Sequence, residues 1–317
     1  MRGQYPEAAK PVPPPSLGLA VRDIHPCLFY RQHCLTMGRR AGRRNRVRAY
    51  GATPLPAPPS KRQKRGMRIL LLNGNTDPAI TTLIAARAKE ALARLGLPAC
   101  DLVPTTAPFG ARYIATRAAV AIAGHAVLSD LAEHIGADNP QGFDAAIIAC
   151  FGEPAIEAAR ELLPIPVIGM AEASITLAME QAPRIALLTG GAAWVPMLEE
   201  FALIRGHGPD RVQVRSVPPT GDMIAREPEK SLGLIAEEAR QAVAAGAGVV
   251  VLGGAGLVGL APKLAALLPV PVLDSLDCAL VMACRGGRVP ARVAQAPQIG
   301  LGPDLARLLA GENAKSK

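Results

Sequence analysis

The chain contains one unit twice. Asp144 to Met170 reads DAAIIACFGEPAIEAARELLPIPVIGM, and Ala247 to Ser275 reads AGVVVLGGAGLVGLAPKLAALLPVPVLDS. Each is an apolar run, a small-residue turn, an Ala/Leu-rich segment, then Leu-Leu-Pro and a second short apolar run. That order predicts strand, loop, helix, strand. A duplicated unit of this kind predicts two similar bodies that face each other and hold a ligand between equivalent loops. The copies differ where chemistry is expected. The first loop opens with Cys150; the matching place in the second holds Gly253, Gly254 and Ala255, within the one residue by which the helices differ in length.

Composition splits at Met67. Residues 1–66 carry 14 Lys/Arg against Glu7 and Asp23, a net charge of +12, whereas the remainder has 21 Lys/Arg and 24 acids, net −3. The basic character therefore belongs to the leader, and no nucleic-acid partner is expected for the folded body. Ten of the 30 prolines fall in the leader, which favours extended, unpacked chain there. Its arginine run GRRAGRRNRVR (Gly38 to Arg48) and cluster KRQKR (Lys61 to Arg65) leave two readings: an over-extended start or disordered tail, or a targeting or binding arm. Met67 is followed at once by RILLLN, as a native start would be.

From Met67 onward 251 residues remain, enough for two α/β domains. We place the first domain at 67–170, the second at 171–285 and a C-terminal helix or tail at 286–317. No apolar run reaches the length of a membrane span, so no membrane partner is expected. Cys27 and Cys34 lie in the leader, and Cys100, Cys150, Cys278 and Cys284 show neither paired nor zinc-type spacing. A reducing cytoplasm is the expected compartment.

Short apolar runs alternate with helical stretches, the pattern of parallel sheets with crossover helices. Strands are predicted near Arg68–Asn73, Ala99–Val103, Ala145–Ala149, Val167–Gly169, Arg184–Thr189, Val212–Val217, Gly248–Leu252 and Val270–Asp274. They are Val/Ile/Leu-rich without alternation, as when both sheet faces are covered. The fold class is α/β: two pseudo-symmetric, doubly wound parallel-sheet domains with a cleft between them.

In such sheets ligands gather at the carboxyl ends of the strands. There Asn73-Gly74-Asn75-Thr76-Asp77 offers a tight turn with short polar side chains; capping explains Thr76 or Asp77, and Asn75 is a candidate ligand contact. Cys150-Phe151-Gly152-Glu153-Pro154 puts a thiol between a buried strand and a helix expected to begin at Glu153-Pro154. The free N–H groups of that helix end would favour thiolate and bind an oxyanion; a buried structural cysteine is the alternative. Gly254, Gly256 and Gly259 form G-x-G-x-x-G with Asp274 twenty residues past Gly254. Those are dinucleotide-fingerprint ingredients, opposed by Pro262 in the helix and by their absence from the first copy. Gly190-Gly191 and Pro218-Pro219-Thr220-Gly221-Asp222 complete the rim, and Phe109-Gly110-Ala111-Arg112-Tyr113 could supply an aromatic wall or a packed lid.

RILLLNGNTD, the CFGEP loop, the VVVLGGAG loop and the PVLDS close together resemble the aspartate/glutamate/hydantoin racemase family, its hydantoin racemase branch most of all. The likeness runs from Met67 to about Cys284. It implies two facing α/β domains and a small-molecule substrate in the cleft, with no pyridoxal phosphate, metal or nucleotide cofactor. In the family pattern cysteines at the Cys150 and Gly254 positions flank the substrate's α-carbon, one removing a proton and the other returning one to the opposite face. Inversion through a carbanion needs both an acid and a base in place beforehand, and glycine can be neither. The resemblance therefore assigns Cys150 as catalytic thiol and Asn75 as a substrate-orienting residue, and Thr76 beside it is a further candidate for substrate binding. Phe151 and Gly152 border the substrate, and Gly254 and Ala255 are backbone donors.

Three functions follow. One is a cofactor-independent racemase or isomerase acting at the α-carbon of a small amino acid, hydantoin or related carboxylate, with Cys150 as acid/base and a water or another side chain at the other face. A second is a single-thiol lyase, as in the arylmalonate decarboxylases of the same family, where the retained thiol stands in the second half; here it would stand in the first and give the mirror-image product. The third is a non-catalytic binding or accessory protein on the same fold. A homo-oligomer is the usual assembly of such enzymes.

Overall fold

The computed structural model describes residues 66–218, 220–286 and 300–312. The leader with Cys27 and Cys34, Pro219 of the rim segment, and the tail segments 287–299 and 313–317 lie outside the described residues. The described residues belong to one compact unit.

Its first half runs β1 (Met67–Asn73), α1 (Pro78–Arg94), β2 (Cys100–Thr106), α2 (Arg117–His134), β3 (Ala145–Ile148), α3 (Ile156–Leu162), β4 (Val167–Gly169) and α4 (Met170–Met179). The second repeats the order with β5 (Ile185–Gly190), α5 (Trp194–Ile204), β6 (Val212–Val217), α6 (Gly221–Arg226), α7 (Pro228–Ala244), β7 (Val249–Gly253), a 3₁₀ turn (Ala255–Leu257), α8 (Ala261–Ala265), β8 (Val272–Asp274) and α9 (Ser275–Arg285). A last helix, α10 (Pro303–Ala310), packs on α2 through Leu305 and Leu308.

The strands form two four-stranded sheets of order β2-β1-β3-β4 and β6-β5-β7-β8, parallel throughout. The same permutation twice is the duplication seen in the sequence, and it places a switch in strand order at β1/β3 and again at β5/β7. All eight predicted strands are present. The edge strand β2 runs on to Thr106 through Pro104, which an edge tolerates because one side of it needs no ladder donor.

The central strands are buried on both faces, which is why their sequences do not alternate. Ile69 and Leu71 of β1 face a core shared with α1, α4, α9 and the inner face of the second sheet, through Ile185, Leu187, Val249 and Val251. Leu70 and Leu72 point the other way, to α2, α3 and α10. Leu188 and Leu252 face outward onto α7 and α8. Because α4 packs on α9 and β7, and α9 in turn on β3, the helices that close each half bury themselves between both sheets. This shared core holds the two sets of strand ends against each other.

Three helices depart from expectation. The helix predicted from Glu153 begins only at Ile156, because Glu153 and Ala155 adopt left-handed φ of 46° and 58° and form a turn first. The rim segment after β6, expected as a turn, contains α6. The helix expected between the loop and the last strand of the second copy is reduced to the 3₁₀ turn and the five-residue α8.

Candidate active site

A cleft with about 640 Å³ of free space, part of it open to solvent, lies over the carboxyl ends of β1, β3, β5 and β7. Both duplicated loops line it: Cys150 and Phe151 from the first half, Gly253 to Leu257 from the second. The loops touch. A Cβ on Gly253 would lie 2.2 Å from Phe151 Cε1, so the ring rests on bare backbone.

Sheet register makes the equivalence of the two loops definite. Leu72 pairs with Ile148 and Cys150 stands two residues beyond; Leu188 pairs with Leu252 and Gly254 stands two residues beyond. Cys150 and Gly254 therefore occupy matching positions on opposite walls of one cleft. Gly254 has φ 123° and ψ 148°, a conformation close to glycine-only, and the N–H groups of Gly254 and Ala255 meet no acceptor among the described residues.

Cys150 keeps some accessible surface but is surrounded by protein, and burial pushes its thiol up to about 11. The N–H groups of Gly152 and Glu153 pull the other way, and the Glu153 carboxylate adds to the rise. This corrects the expected thiolate: the helix end that was to stabilise it begins six residues downstream, and desolvation outweighs the two local amides. Cys150 Cβ also packs against Gly74, whose own Cβ would stand 3.3 Å away, so the β1 turn fixes where the thiol sits.

The β1 turn is organised by a residue the sequence reading passed over. Asn73, 1 % exposed, donates through Nδ2 to Asn75 Oδ1 (2.9 Å), the Asp77 carbonyl (3.1 Å) and Thr81 Oγ1 (3.0 Å), and its Oδ1 accepts from Asn75 N–H (3.2 Å). Asn75 Oδ1 also accepts from Asp77 N–H (2.9 Å), so its amide NH₂ has no protein partner among the described residues. Asn75 lines the cleft. Thr76 does not: its N–H goes to the Ala111 carbonyl at 3.2 Å, which ties the turn to the loop after β2. Asp77 caps α1 by accepting from Ala79 N–H, and that bond, with Arg112 beside it, lowers its pKa.

Gly152, expected at the substrate, instead lies beneath Trp194, where a Cβ would fall 2.4 Å from the indole Cη2. Trp194 opens α5 and lines the cleft from the second half. Tyr113 reaches across from the first half: its hydroxyl accepts from Gly221 N–H at 3.2 Å and donates to the Gly190 carbonyl at 3.3 Å. Of the five residues proposed as an aromatic wall, Arg112 and Tyr113 line the cleft, whereas Phe109 is exposed and packs edge-on against His125. Gly190 and Gly221 also line it, together with Asp222 and Thr189. Asn73, Tyr113 and Asp222 stand in segments the sequence singles out without a role for these side chains, Trp194 stands in none, and only the fold brings the four together.

The dinucleotide fingerprint dissolves in three dimensions. Asp274 caps α9 by accepting from Leu276 N–H (2.9 Å) and takes Gly259 N–H (2.6 Å) on its other oxygen, so it is spent on structure. Among the described residues no three His, Cys, Asp or Glu side chains cluster as metal ligands, and no helix is long and apolar enough to cross a membrane.

The same family emerges from comparison with known proteins. A profile of Asp/Glu/Hydantoin racemase matches residues 63–283. The chain belongs to the Asp/Glu/hydantoin racemase family. Among its relatives, the hydantoin racemase of Paenarthrobacter aurescens is 33% identical over 216 residues, 67% of this chain and 88% of that one. The hydantoin racemase of Pseudomonas sp. (strain NS671) is 30% identical over 211 residues, 66% and 82% of the two chains. The solved structure of the allantoin racemase from Klebsiella pneumoniae superposes with a TM-score of 0.67 at 27% identity, covering 76% of this chain and 99% of that one. Membership of this family marks the chain as an isomerase-type enzyme, and the cleft over the switch points as the place to seek its chemistry.

Proposed function

We propose that the chain acts without a cofactor at the acidic α-carbon of a small cyclic amide of the hydantoin type, with Cys150 as the proton carrier on one face. The observation that carries this reading is one thiol and Gly254, its counterpart in the second half, lining one cleft from the two halves. The cleft walls suit an uncharged ring. Ile80, Ile114, Phe151 and Trp194 are apolar, Asn75 offers amide donors, and the one cation among the lining residues, Arg112, is already paired with Asp77. An unpaired cation, which would favour a free carboxylate, is not among the lining residues.

A thiol of pKa about 11 is protonated at neutral pH and so begins as an acid. In an inversion a base on the Gly254 wall takes the C–H proton, and the electron pair spreads into the ring carbonyl as an enolate. The Gly254 and Ala255 amides are placed to hydrogen-bond that oxygen, and Cys150 S–H then returns a proton to the other face. Asp222 is the carboxylate that the second-half lining offers as base, and Tyr113, whose hydroxyl bridges Gly221 and Gly190, stands beside it as a hydrogen-bond relay. The thiolate on Cys150 and the protonated base opposite either run the inversion in reverse or exchange protons with water to restore the starting form.

The high thiol pKa also favours a second reading. Loss of carbon dioxide from a malonate creates the carbanion without any base, and one protonated thiol is then sufficient. Incubation in deuterium oxide with hydantoins and with aryl- and alkylmalonates separates the two. Label uptake into recovered, racemised hydantoin supports the isomerase, carbon dioxide release with one label per product supports the lyase, and neither from a folded protein contradicts both.

A further inference from the structure

We infer that Trp194 is the specificity-determining wall of the cleft: its indole separates the thiol cavity from an adjoining apolar groove and so limits the size of the group carried on the substrate's reacting carbon. Two cavities meet at this residue. Trp194 is the one side chain that lines both the cleft holding Cys150 and a groove running between α2 and α5. The groove is floored by Val120, Ala121, Met197, Phe201 and Ile204, and the two charges at its rim, Arg117 and Glu200, are paired with each other. It is thus apolar space with its polar rim already satisfied, beginning where the thiol cavity ends.

The indole is held as a wall should be. It is 8 % exposed, and its ring edge lies on the bare backbone of Gly152, two residues beyond the thiol, where any Cβ would collide at 2.4 Å. Glycine at 152 lets the ring close against the Cys150 loop, so the position assigned from sequence to substrate contact serves the wall instead. A substituent larger than the cleft must displace the indole or be refused. Steric exclusion by one rigid aromatic side chain discriminates by about tenfold or more, since even single methylenes are read at that level in apolar pockets. The inference rests on the ring-amide reading of the site.

The test compares a 5-methyl with a 5-benzyl hydantoin on the full chain, wild type and Trp194→Ala, reading both kcat/KM for deuterium exchange and Kd by equilibrium dialysis. The benzyl-to-methyl ratio is expected to rise at least about tenfold in the variant. Ala121→Trp, added to refill the groove, is expected to return the ratio toward wild type. Trp194→Phe, a smaller change in case the alanine variant does not fold, is expected to give an intermediate rise. Trp194 is the chain's one tryptophan, so emission from the wild type also reports whether either ligand reaches the wall. An unchanged ratio in a folded variant, in exchange and in Kd alike, overturns the inference. Absence of exchange on both ligands by wild type, with the Kd ratio still shifting in the variant, contradicts the ring-amide chemistry and leaves the wall standing.

Discussion

At the scale of single residues, Cys150 holds its proton tightly. Burial with Glu153 close by outweighs the two amides that would favour thiolate. Replacing Cys150 with Ser keeps the shape and removes an acid near the required strength, so exchange at the α-carbon is expected to fall by about 10²-fold or more. NMR in deuterium oxide checks this, and an unchanged rate contradicts the role. Gly254→Cys asks about the opposite wall. Its φ of 123° must change before a side chain fits, which is expected to destabilise the fold by about 1–3 kcal/mol. The thiol so introduced is expected to raise exchange above wild type. A variant that melts cooperatively but gains no exchange would show that the two positions do not flank one carbon.

At the scale of elements, loops that the sequence marks only as small-residue turns are joined by backbone contact. A Cβ on Gly256 would fall 1.9 Å from the Gly221 carbonyl, and one on Gly190 would fall 2.6 Å from Gly221 N. The start of α6 therefore lies directly on the loops after β5 and β7. Gly256→Ala is expected to cost about 1–3 kcal/mol and to lower activity by moving that loop; an unaltered melting temperature would contradict the close approach. This also explains what was legible beforehand. Strands such as AAII and VVVLG announce themselves because burial on both faces leaves a local, continuous apolar run, and the duplication exposed Cys150 and Gly254 as counterparts. The late start of α3 depends on left-handed Glu153 and Ala155, which Gly169 permits by leaving room for the Glu153 carboxylate. Trp194 acts from a segment outside the motifs, Tyr113 reaches across the cleft by bonds its segment does not announce, and Asn73 reads as an ordinary strand end until its three donor contacts are seen.

At the scale of the whole molecule, the duplicated halves share a core in which several carboxylates are buried. Burial raises Glu153 to about 7, with Glu172 N–H on one oxygen at 2.7 Å and the other lacking a hydrogen bond. Burial likewise raises Asp130 and Asp274 to about 6. Groups raised in this way bind their protons more tightly folded than unfolded. Their contribution is full below the unfolded pKa near 4 and is lost as pH rises through 6 to 7. Asp77 and Glu172, which are lowered, act oppositely but mainly below pH 4.5. The melting temperature is therefore expected to be higher at pH 5 than at pH 7.5. Glu153→Gln, which cannot ionise, is expected to shrink that difference, by on the order of 3 kcal/mol at most. Calorimetry at the two pH values checks both, and a variant with the wild-type pH dependence would contradict the buried charge.

The central claim is that one thiol, on one wall of a cleft built twice, carries the proton. Deuterium uptake at the α-carbon, measured side by side for wild type and Cys150→Ser over hydantoins and malonates, tests it most directly. Label in inverted or decarboxylated product that falls about 10²-fold or more from wild type to the folded serine variant is the predicted result; equal labelling by both proteins contradicts it.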